Sequence, residues 1–320
     1  MPRIVSDDTY QKALLAAPRP GMDRVRAFYD HRVGLICKDP RYLLIPMDDH
    51  LVHRGDGVFE TLKFTAGRIY QLDAHVERLF HSATTIAIHP PCSRQDVRQL
   101  LIELAAASEL KNGLLAVYVG RGPGGFTADF RECPQPSLYA VARVAPQYSE
   151  ALWENGVTAY TTGFPAKQCY LSRIKTVDYL PNVLMKREAV LKGYDYPLCF
   201  DEQGFLAEGA TENVCLVNSS GELIVPELRN ALPGTTLLRG LDLIRPELPI
   251  EHRLVKEDEL YQARELILLG TSLDAVSVVR FNDRPIHDVR PGPVSQRLRQ
   301  LLLEDHRRTG TPIADAHPAS

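Results

Sequence analysis

The sequence predicts an α/β chain of two domains. Segments that alternate like β-strands and segments spaced like amphipathic helices follow one another along its 320 residues. That length fits one large or two ordinary domains, because domains usually run roughly 100 to 200 residues. A polar break at residues 146–149 divides the pattern, so we expect a first domain over residues 31–145 and a second over residues 149–305.

Composition and charge favour small-molecule partners and a reducing compartment. The net charge is −3 and no basic tract stands out, so neither nucleic acid nor a membrane is an expected partner. The six cysteines are scattered without Cys-x-x-Cys spacing, as buried free thiols are. The first residues lack the apolar core of a signal peptide, and no apolar run reaches the roughly 18 residues of a membrane span. We expect a cytoplasmic protein.

The N-terminal part and the first domain are predicted as an arm, a hairpin, helices and strands. Residues 1–30 carry a short helical pattern broken by prolines, and form an arm over the first domain. Period-two patterning on both sides of Ala66-Gly67 predicts a β-hairpin over residues 57–72. Asp73 is predicted to cap the helix that follows. The remaining elements are a helix over residues 97–110 and strands over residues 114–119 and 137–142.

The second domain is predicted to alternate strands with helices. In chain order the elements are a strand over residues 157–161, a helix through residues 183–190, hairpins over residues 198–206 and 213–225, helices over residues 236–244 and 257–262, and strands over residues 265–269 and 276–279. Residues 306–320 are poor in apolar side chains, so we expect a flexible tail there.

Lys175 is the first candidate for chemistry. It lies between the apolar residues Ile174 and Val177, just before a predicted helix. A lysine amine that is desolvated in this way can stay neutral and nucleophilic, and such an amine forms a Schiff base with an aldehyde. The alternative is a solvated surface lysine, which is the commoner case for any single lysine.

Glu208 and a threonine-rich turn add two further signals. Glu208 stands at the end of a predicted strand before Gly209, where its carboxylate could hold a pyridine nitrogen protonated. Thr235 and Thr236 open a helix, so their N–H groups are available to an anion such as phosphate. The alternatives are a solvated turn glutamate and ordinary helix capping. Two more phosphate candidates are Thr271, which follows an apolar strand, and the helix arginine Arg78.

A metal site is the competing interpretation. Residues 48–56 concentrate aspartates and histidines, which zinc and iron hydrolases use as ligands. However, His50 and His53 lack the spacing of the metalloprotease helix, and Arg54 brings a positive charge between them and Asp56. We therefore expect no metal.

Five ordered motifs together resemble the class IV (fold type IV) pyridoxal phosphate enzymes, a family that includes branched-chain aminotransferases, D-amino-acid transaminases and 4-amino-4-deoxychorismate lyases. The resemblance covers residues 31–289. The motifs are His53-Arg54-Gly55-Asp56-Gly57-Val58-Phe59-Glu60-Thr61, His75-Val76-Glu77-Arg78-Leu79, Lys175 with Tyr179-Leu180-Pro181-Asn182, Glu208-Gly209 with Asn213, and Leu232-Pro233-Gly234-Thr235-Thr236.

The resemblance implies a cofactor, roles and an assembly. The cofactor is pyridoxal 5'-phosphate in the cleft between two α/β domains, with Lys175 as Schiff-base lysine and Glu208 as partner of the pyridine nitrogen. Leu232 is expected to pack behind the ring. The implied assembly is a homodimer whose loops complete each other's sites. The phosphate ligands it implies are Arg78, Thr235, Thr236 and Thr271.

Within the family, Ile45-Pro46-Met47-Asp48-Asp49-His50 together with Val52-His53-Arg54-Gly55 is most similar to the plant-type branch, in which transaminase and lyase activities both occur. Phe126 and Ala128 stand where bacterial D-amino-acid transaminases carry an arginine and a histidine for the substrate carboxylate, which leaves Arg54 and Arg121 as substitutes. Phe59 and Phe126 are expected to line the side-chain pocket.

We expect an aminotransferase that moves an amino group from a D-amino acid to a 2-oxo acid. The alternatives are a deoxychorismate lyase that eliminates pyruvate and a branched-chain aminotransferase. From other classes, a metal-dependent hydrolase and an inactive binding protein remain.

Overall fold

The computed structural model describes residues 3–313, apart from the side chain of Cys169. Its α-helices are α1 (Asp7–Ala16), α2 (His50–His53), α3 (Leu72–Thr85), α4 (Arg94–Ala107), α5 (Ala151–Asn155), α6 (Leu180–Lys192), α7 (Thr235–Ile244), α8 (Glu257–Leu260) and α9 (Pro293–Thr309). Its strands are β1 (Val25–Asp30), β2 (Leu35–Cys37), β3 (Gly57–Thr65), β4 (Arg68–Ile69), β5 (Gly113–Gly120), β6 (Ser137–Arg143), β7 (Val157–Thr161), β8 (Tyr196–Phe200), β9 (Leu206–Gly209), β10 (Asn213–Val217), β11 (Leu223–Pro226), β12 (Ile250–Arg253), β13 (Glu265–Gly270), β14 (Asp274–Phe281), β15 (Arg284–Pro285) and β16 (Thr311–Pro312).

The first sheet has seven strands in the order β16-β4-β3-β5-β6-β1-β2. Helices α3 and α4 pack against it and enclose a core that includes Leu62, Leu79 and Leu101. Because side chains alternate along a strand, β3 turns Leu62 toward these helices and Phe59 and Thr61 toward the opposite side. That opposite side of the sheet faces the candidate site.

The second sheet has nine strands, in the order β12-β11-β10-β13-β14-β7-β8-β9 with β15 paired to β14. Both of its faces are covered, as the uninterrupted apolar sequence of β13 requires. Leu266 and Leu268 lie in the core on one face, whereas Ile267 and Leu269 pack with α7 and α9 on the other.

The segment around Lys175 connects the two sheets. The backbone N–H of Phe59 donates to the carbonyl of Lys175 at 2.9 Å, and the N–H of Val177 donates to the carbonyl of Gly57 at 2.9 Å. Lys63 of β3 also forms a buried ion pair with Asp274 of β14. The start of β3 is therefore tied to the loop that carries the candidate lysine.

The predicted α/β architecture is confirmed, and four details of the prediction are wrong. The cap of α3 is Gln71, not Asp73, because the helix already begins at Leu72. The last six residues of the expected arm form β1, which pairs with β6 inside the first sheet. Helix α9 was not predicted. The expected flexible tail is ordered through residue 313, since α9 extends to Thr309 and β16 pairs with β4.

The chain passes from the first sheet to the second between β6 and β7, an interval that contains the predicted domain boundary at residues 146–149. The domain limits themselves stay predictions, and residues 314–320 of the expected tail lie outside the described residues. No helix within residues 3–313 is both long enough and apolar enough to cross a membrane.

Candidate active site

A cavity of about 280 Å³ between the two sheets brings most of the predicted residues together. Both the Lys175 loop and the pocket-facing side of β3 contribute to its wall, and the N-terminus of α7 forms one end. Eight of the eleven predicted site residues line it. They are Phe59, Arg78, Lys175, Glu208, Leu232, Thr235, Thr236 and Thr271.

The amine of Lys175 projects into this cavity beside two aromatic rings. Its Nζ donates a hydrogen bond to Tyr179 Oη at 2.8 Å and lies 4.6 Å from the ring centroid of Phe59. No carboxylate forms an ion pair with Nζ in the part of the chain that the structure describes. The amine is therefore held by a phenol rather than neutralised by an acid, which leaves it accessible to an electrophile.

The carboxyl group of Glu208, a half-buried residue, lines the same cavity. Burial raises its pKa from 4.5 to about 7, although the N–H of Leu232 donates to Oε2 at 3.1 Å. The Oε1 atom accepts no hydrogen bond from the described residues. A desolvated carboxyl with a free oxygen fits a ligand that offers a protonated nitrogen.

This burial predicts a pH-dependent stability for the cofactor-free protein. In the folded protein the pKa of Glu208 is about 7, above the ordinary 4.5 of the unfolded chain. Between pH 4.5 and about 7, Glu208 is therefore protonated in the folded state and ionised in the unfolded state. The stabilisation is full below pH 4.5 and is lost as pH rises through about 7. At about pH 8, apo Glu208→Gln, which has no charge to bury, should therefore melt higher than the apo wild type by on the order of a few degrees. At about pH 5 the difference in Tm should shrink. Equal Tm values at about pH 8 would show that Glu208 is not desolvated.

The N-terminus of α7 also lines the cavity. Its N-cap Gly234 provides no side-chain cap, and Thr235 and Thr236 are buried there. The uncapped N–H groups of a helix start carry partial positive charge and bind anions. Thr271, just after β13, lines the same cavity. The start of α7 and the three threonine hydroxyls are suited to an anion, and we call this part of the cavity the candidate anion site.

Arg78 is fixed next to this anion site by a buried carboxylate. Its Nε and Nη2 donate to the two oxygens of Glu60 at 2.7 and 2.8 Å, and Nη1 donates to the carbonyl of Pro233 at 2.9 Å. Burial acts to raise the pKa of Glu60, but Arg78 and His75 together hold it at about 2. His75 bridges Glu60 and Thr235, with Nδ1 and Nε2 at 2.7 and 3.2 Å from the two side chains. The cation and the helix start are thus parts of one network.

Three predicted residues do not line the cavity of their own chain. Arg121 makes two bonds to Asp56, at 2.9 and 3.0 Å, and further bonds to the carbonyls of residues 86 and 87. Arg54 donates to loop carbonyls, among them those of Phe126 and Thr127. The side chain of Phe126 is 62% exposed. The expectation that these residues bind substrate therefore has no support within a single chain.

The cavity also contains charged and polar residues to which the sequence assigned no individual role. They include Arg143, Tyr148, Lys167, Tyr179, Asn182 and Glu212. Arg143 gave one usable signal, since it is a charged residue at the end of the otherwise apolar strand β6. Lys167 gave no signal in the sequence. Its Nζ lies 4.9 Å from the ring centroid of Tyr179, a contact that only the folded loop creates.

The acidic and histidine-rich stretch at residues 48–56 folds as a structural corner. Asp49 is fully buried. Its carboxylate accepts one hydrogen bond from the N–H of Leu51 and one from the hydroxyl of Tyr139, the latter at 2.9 Å. Within residues 3–313, no group of three or more acidic, histidine or cysteine side chains lies close enough to hold a metal ion.

Comparisons with known proteins agree with this geometry. The model of the family described as amino-transferase class IV matches residues 57–281. A chloroplastic D-amino-acid transaminase of Arabidopsis thaliana is 33% identical over 299 residues, which cover 91% of this chain and 79% of that protein. A putative branched-chain-amino-acid aminotransferase of Methanocaldococcus jannaschii is 26% identical and covers 87% and 96% of the two chains. The branched-chain amino acid aminotransferase of Thermobaculum terrenum, in its PLP-form, superposes with a TM-score of 0.80 at 21% identity, over 91% and 99% of the two chains.

Proposed function

This chain belongs to the class IV aminotransferases, which use pyridoxal phosphate, and we propose that it moves an amino group from a D-amino acid to a 2-oxo acid. The observation that carries the choice of donor is the likeness to the D-amino-acid transaminase of Arabidopsis, at 33% identity over 91% of the chain. The branched-chain relative is less similar, at 26% identity. The residue roles that follow belong to the same proposal.

The cavity offers complementary groups for three polar parts of the cofactor. Pyridoxal phosphate has an aldehyde, a ring nitrogen that can be protonated, and a phosphate. Lys175 would bond the aldehyde, and the free Oε1 of Glu208 would face the ring nitrogen. The uncapped start of α7 and Arg78 would hold the phosphate. The desolvated carboxyl and the uncapped helix start are what make the cavity fit the cofactor.

The chain's own groups would position the reaction and move its proton. When bound, the cofactor supplies an electron sink for the bond that breaks at the substrate α-carbon. Lys175 Nζ, oriented by its 2.8 Å hydrogen bond to Tyr179 Oη, would take and return the α-proton. Phe59 and Tyr179 flank the amine with their rings 5.0 Å apart, which limits the access of water to it.

Retention of the cofactor should depend on Arg78 and Thr236. We expect the double variant Arg78→Met, Thr236→Ala to bind pyridoxal phosphate more weakly by about 2 to 4 kcal/mol, because one charge-assisted and one neutral hydrogen bond to phosphate are lost. Equilibrium dialysis of the apo protein measures this directly. Thr84→Ala on the outer side of α3, whose hydroxyl bonds only helix carbonyls, serves as the control. Unchanged affinity in the double variant would place the phosphate elsewhere.

The proposed assembly is a homodimer. The structure leaves apolar side chains exposed on the loops of the first domain, including Met47 at 65%, Phe126 at 62% and Phe130 at 63%. Large apolar side chains that are exposed to this extent favour an interface. In such a dimer, Arg54 and Phe126 would contribute to the cavity of the partner subunit. Arg121, already bound to Asp56 and two carbonyls, would hold the loop in shape.

A panel of D- and L-amino acids with pyruvate or 2-oxoglutarate as acceptor tests the choice of donor. We expect oxo-acid-dependent turnover of D-alanine or another D-amino acid, and little turnover of L-valine or L-leucine. The opposite preference would make the chain a branched-chain aminotransferase. Formation of p-aminobenzoate from aminodeoxychorismate without any oxo-acid-dependent turnover would make it the lyase.

The cytoplasm remains the predicted compartment, although the Arabidopsis relative is named chloroplastic.

A further inference from the structure

Helix α1 has almost no contact with the rest of its own chain. Within the described residues 3–18, every residue is exposed except Leu15, which is half-buried. The helix has 10 residues, and none of them is buried. Isolated helices shorter than roughly 12 to 15 residues are marginal in water, because too few hydrogen bonds offset the cost of helix nucleation. The stability of α1 therefore calls for a surface that a single chain does not provide.

One side of α1 is apolar and carries an acid at its start. The side chains of Tyr10 and Leu14 are exposed and lie about one turn apart. Asp7 falls on the same side, since residues at positions i, i+3 and i+7 share one side of a helix. Its carboxylate forms no ion pair with any residue between 3 and 313. The arm thus presents an apolar stripe with an unpaired negative charge.

The outer side of α6 presents a second apolar stripe, with the opposite charge. Its apolar side chains are more than half exposed and recur at helical spacing, and they are Leu180, Val183, Val190 and Leu191. Arg187 lies within this stripe, four residues after Val183 and three before Val190. In the described part of the chain, its guanidinium has neither an ion pair nor a hydrogen bond. The two stripes are therefore complementary in charge.

Both helices start or end beside the loops of the proposed homodimer interface. Arg19, three residues after α1, donates to two carbonyls of the loop over residues 40–47, and the bond to Leu43 is 2.8 Å long. Gly55 lies against Asp178, two residues before α6, since a Cβ added to Gly55 would lie 3.6 Å from the Cβ of Asp178. A dimer built on these loops brings the arm of one subunit and α6 of the other to the same interface.

The charges of the arm favour a second copy of this chain over a membrane. Residues 3–17 contain two cations, Arg3 and Lys12, and two acids, Asp7 and Asp8, so their net charge is zero. Helices that lie on membrane surfaces are instead rich in lysine and arginine. An unpaired acid on α1 and an unpaired arginine on α6 fit each other, and in a two-fold dimer this contact forms twice.

We propose that α1 of each subunit packs on the outer side of α6 of the other subunit, with Asp7 paired to the partner's Arg187. The inference rests on the proposed homodimer and adds an exchanged arm to it. Both stripes are exposed in the single chain, so neither covers the other within one subunit. Tyr10 and Leu14 leave water when the arm docks, and the charge pair fixes its register.

Hydrogen exchange of residues 3–17 in the holoenzyme, read by mass spectrometry, tests this contact. The amides of α1 should exchange at least about tenfold more slowly in the wild-type dimer than in a synthetic peptide of the same residues. Asp7→Arg and Arg187→Asp should each remove this protection, because like charges then face each other. The double variant Asp7→Arg, Arg187→Asp should recover it. Asp8→Arg is the matched control, since it makes the same change of charge in the same turn but off the stripe.

A mixed dimer identifies the subunit that receives the arm. Chains with Asp7→Arg and chains with Arg187→Asp carry different affinity tags, are co-expressed, and are purified as the mixed dimer. If the arms are exchanged, the altered arm meets the altered α6 and the unaltered arm meets the unaltered α6. Both arms should then be protected as in the wild type. If each arm packs on its own subunit, both contacts join like charges and both arms should exchange rapidly.

The outcomes separate this inference from the proposals on which it rests. Rapid exchange of α1 in the wild-type dimer, full protection in both single variants, or rapid exchange in the mixed dimer would each overturn it. Protection that appears only with phosphatidylserine vesicles would assign the arm to a membrane instead. A wild type that is monomeric by light scattering contradicts both the homodimer and the exchanged arm. A dimer that transaminates no D-amino acid contradicts only the proposed donor, and the exchange experiment still decides the role of α1.

Discussion

Replacing Lys175 with alanine is expected to lower transamination by about 10² to 10⁴-fold, the contribution of a positioned proton-transfer group. The Lys175 amine is proposed to bond the cofactor aldehyde and to move the α-proton. Alanine can do neither. The wild-type holoenzyme should be yellow, and its visible band should shift when an amino donor is added. Turnover by stopped assay and the visible spectrum of each variant check both expectations.

Borohydride reduction gives a residue-level control for Lys175. Reduction of the wild type should fix the cofactor on the peptide that contains Lys175, as mass spectrometry would show. Lys167→Ala is the matched variant, since Lys167 lines the same cavity and also contacts the ring of Tyr179. Its label should stay on Lys175. A label on Lys167 in the wild type would contradict the assignment.

Glu208→Gln is expected to keep the cofactor and to lose roughly 10- to 150-fold in kcat, which corresponds to one hydrogen bond to a charged group. The glutamine amide cannot carry the negative charge that keeps a ring nitrogen protonated, so the electron sink weakens while the rest of the cavity is unchanged. Kinetics with saturating donor, together with cofactor retention after dialysis, measure the effect.

Glu212→Gln is the control for Glu208. Glu212 is also buried and lines the same cavity, but its oxygens accept hydrogen bonds from Thr211 rather than remaining free. Turnover in Glu212→Gln should stay well above that of Glu208→Gln. Equal losses in the two variants would mean that any buried carboxyl of this wall matters, and Glu208 would lose its assigned role.

Elements stabilised by local patterns were predictable, and elements stabilised by distant pairing were not. The turn Ala66-Gly67 with alternation on both sides gave the hairpin of β3 and β4. By contrast, β1 is a strand because it pairs with β6, more than a hundred residues later in the chain. Its proline-rich surroundings suggested an arm, since nothing within the segment shows the partner.

The same distinction applies to the candidate site. Glu208, Thr235 and Thr236 stand in contiguous motifs whose residue types already indicate the chemistry, so the sequence found them. Arg121 appeared free in the sequence, but Asp56, 65 residues earlier, neutralises it. Arg143 was missed for the opposite reason. Its position in the cavity follows from the register of three strands, which a single sequence does not display.

Strand β16 also affects the order in which the first sheet can assemble. Without β16, strand β4 would be the edge strand of the first sheet. Strand β16 pairs with it, and the N–H of Ile313 donates to the carbonyl of Gly67 at 2.8 Å. His306 of α9 lies 2.9 Å from the carbonyl of Arg68. During synthesis, strands β1 to β6 leave the ribosome before β16, so the edge of β4 can pair with foreign strands until β16 is available. The first sheet is therefore completed only after residues 311–312, which follow the second sheet in the sequence, have been synthesised.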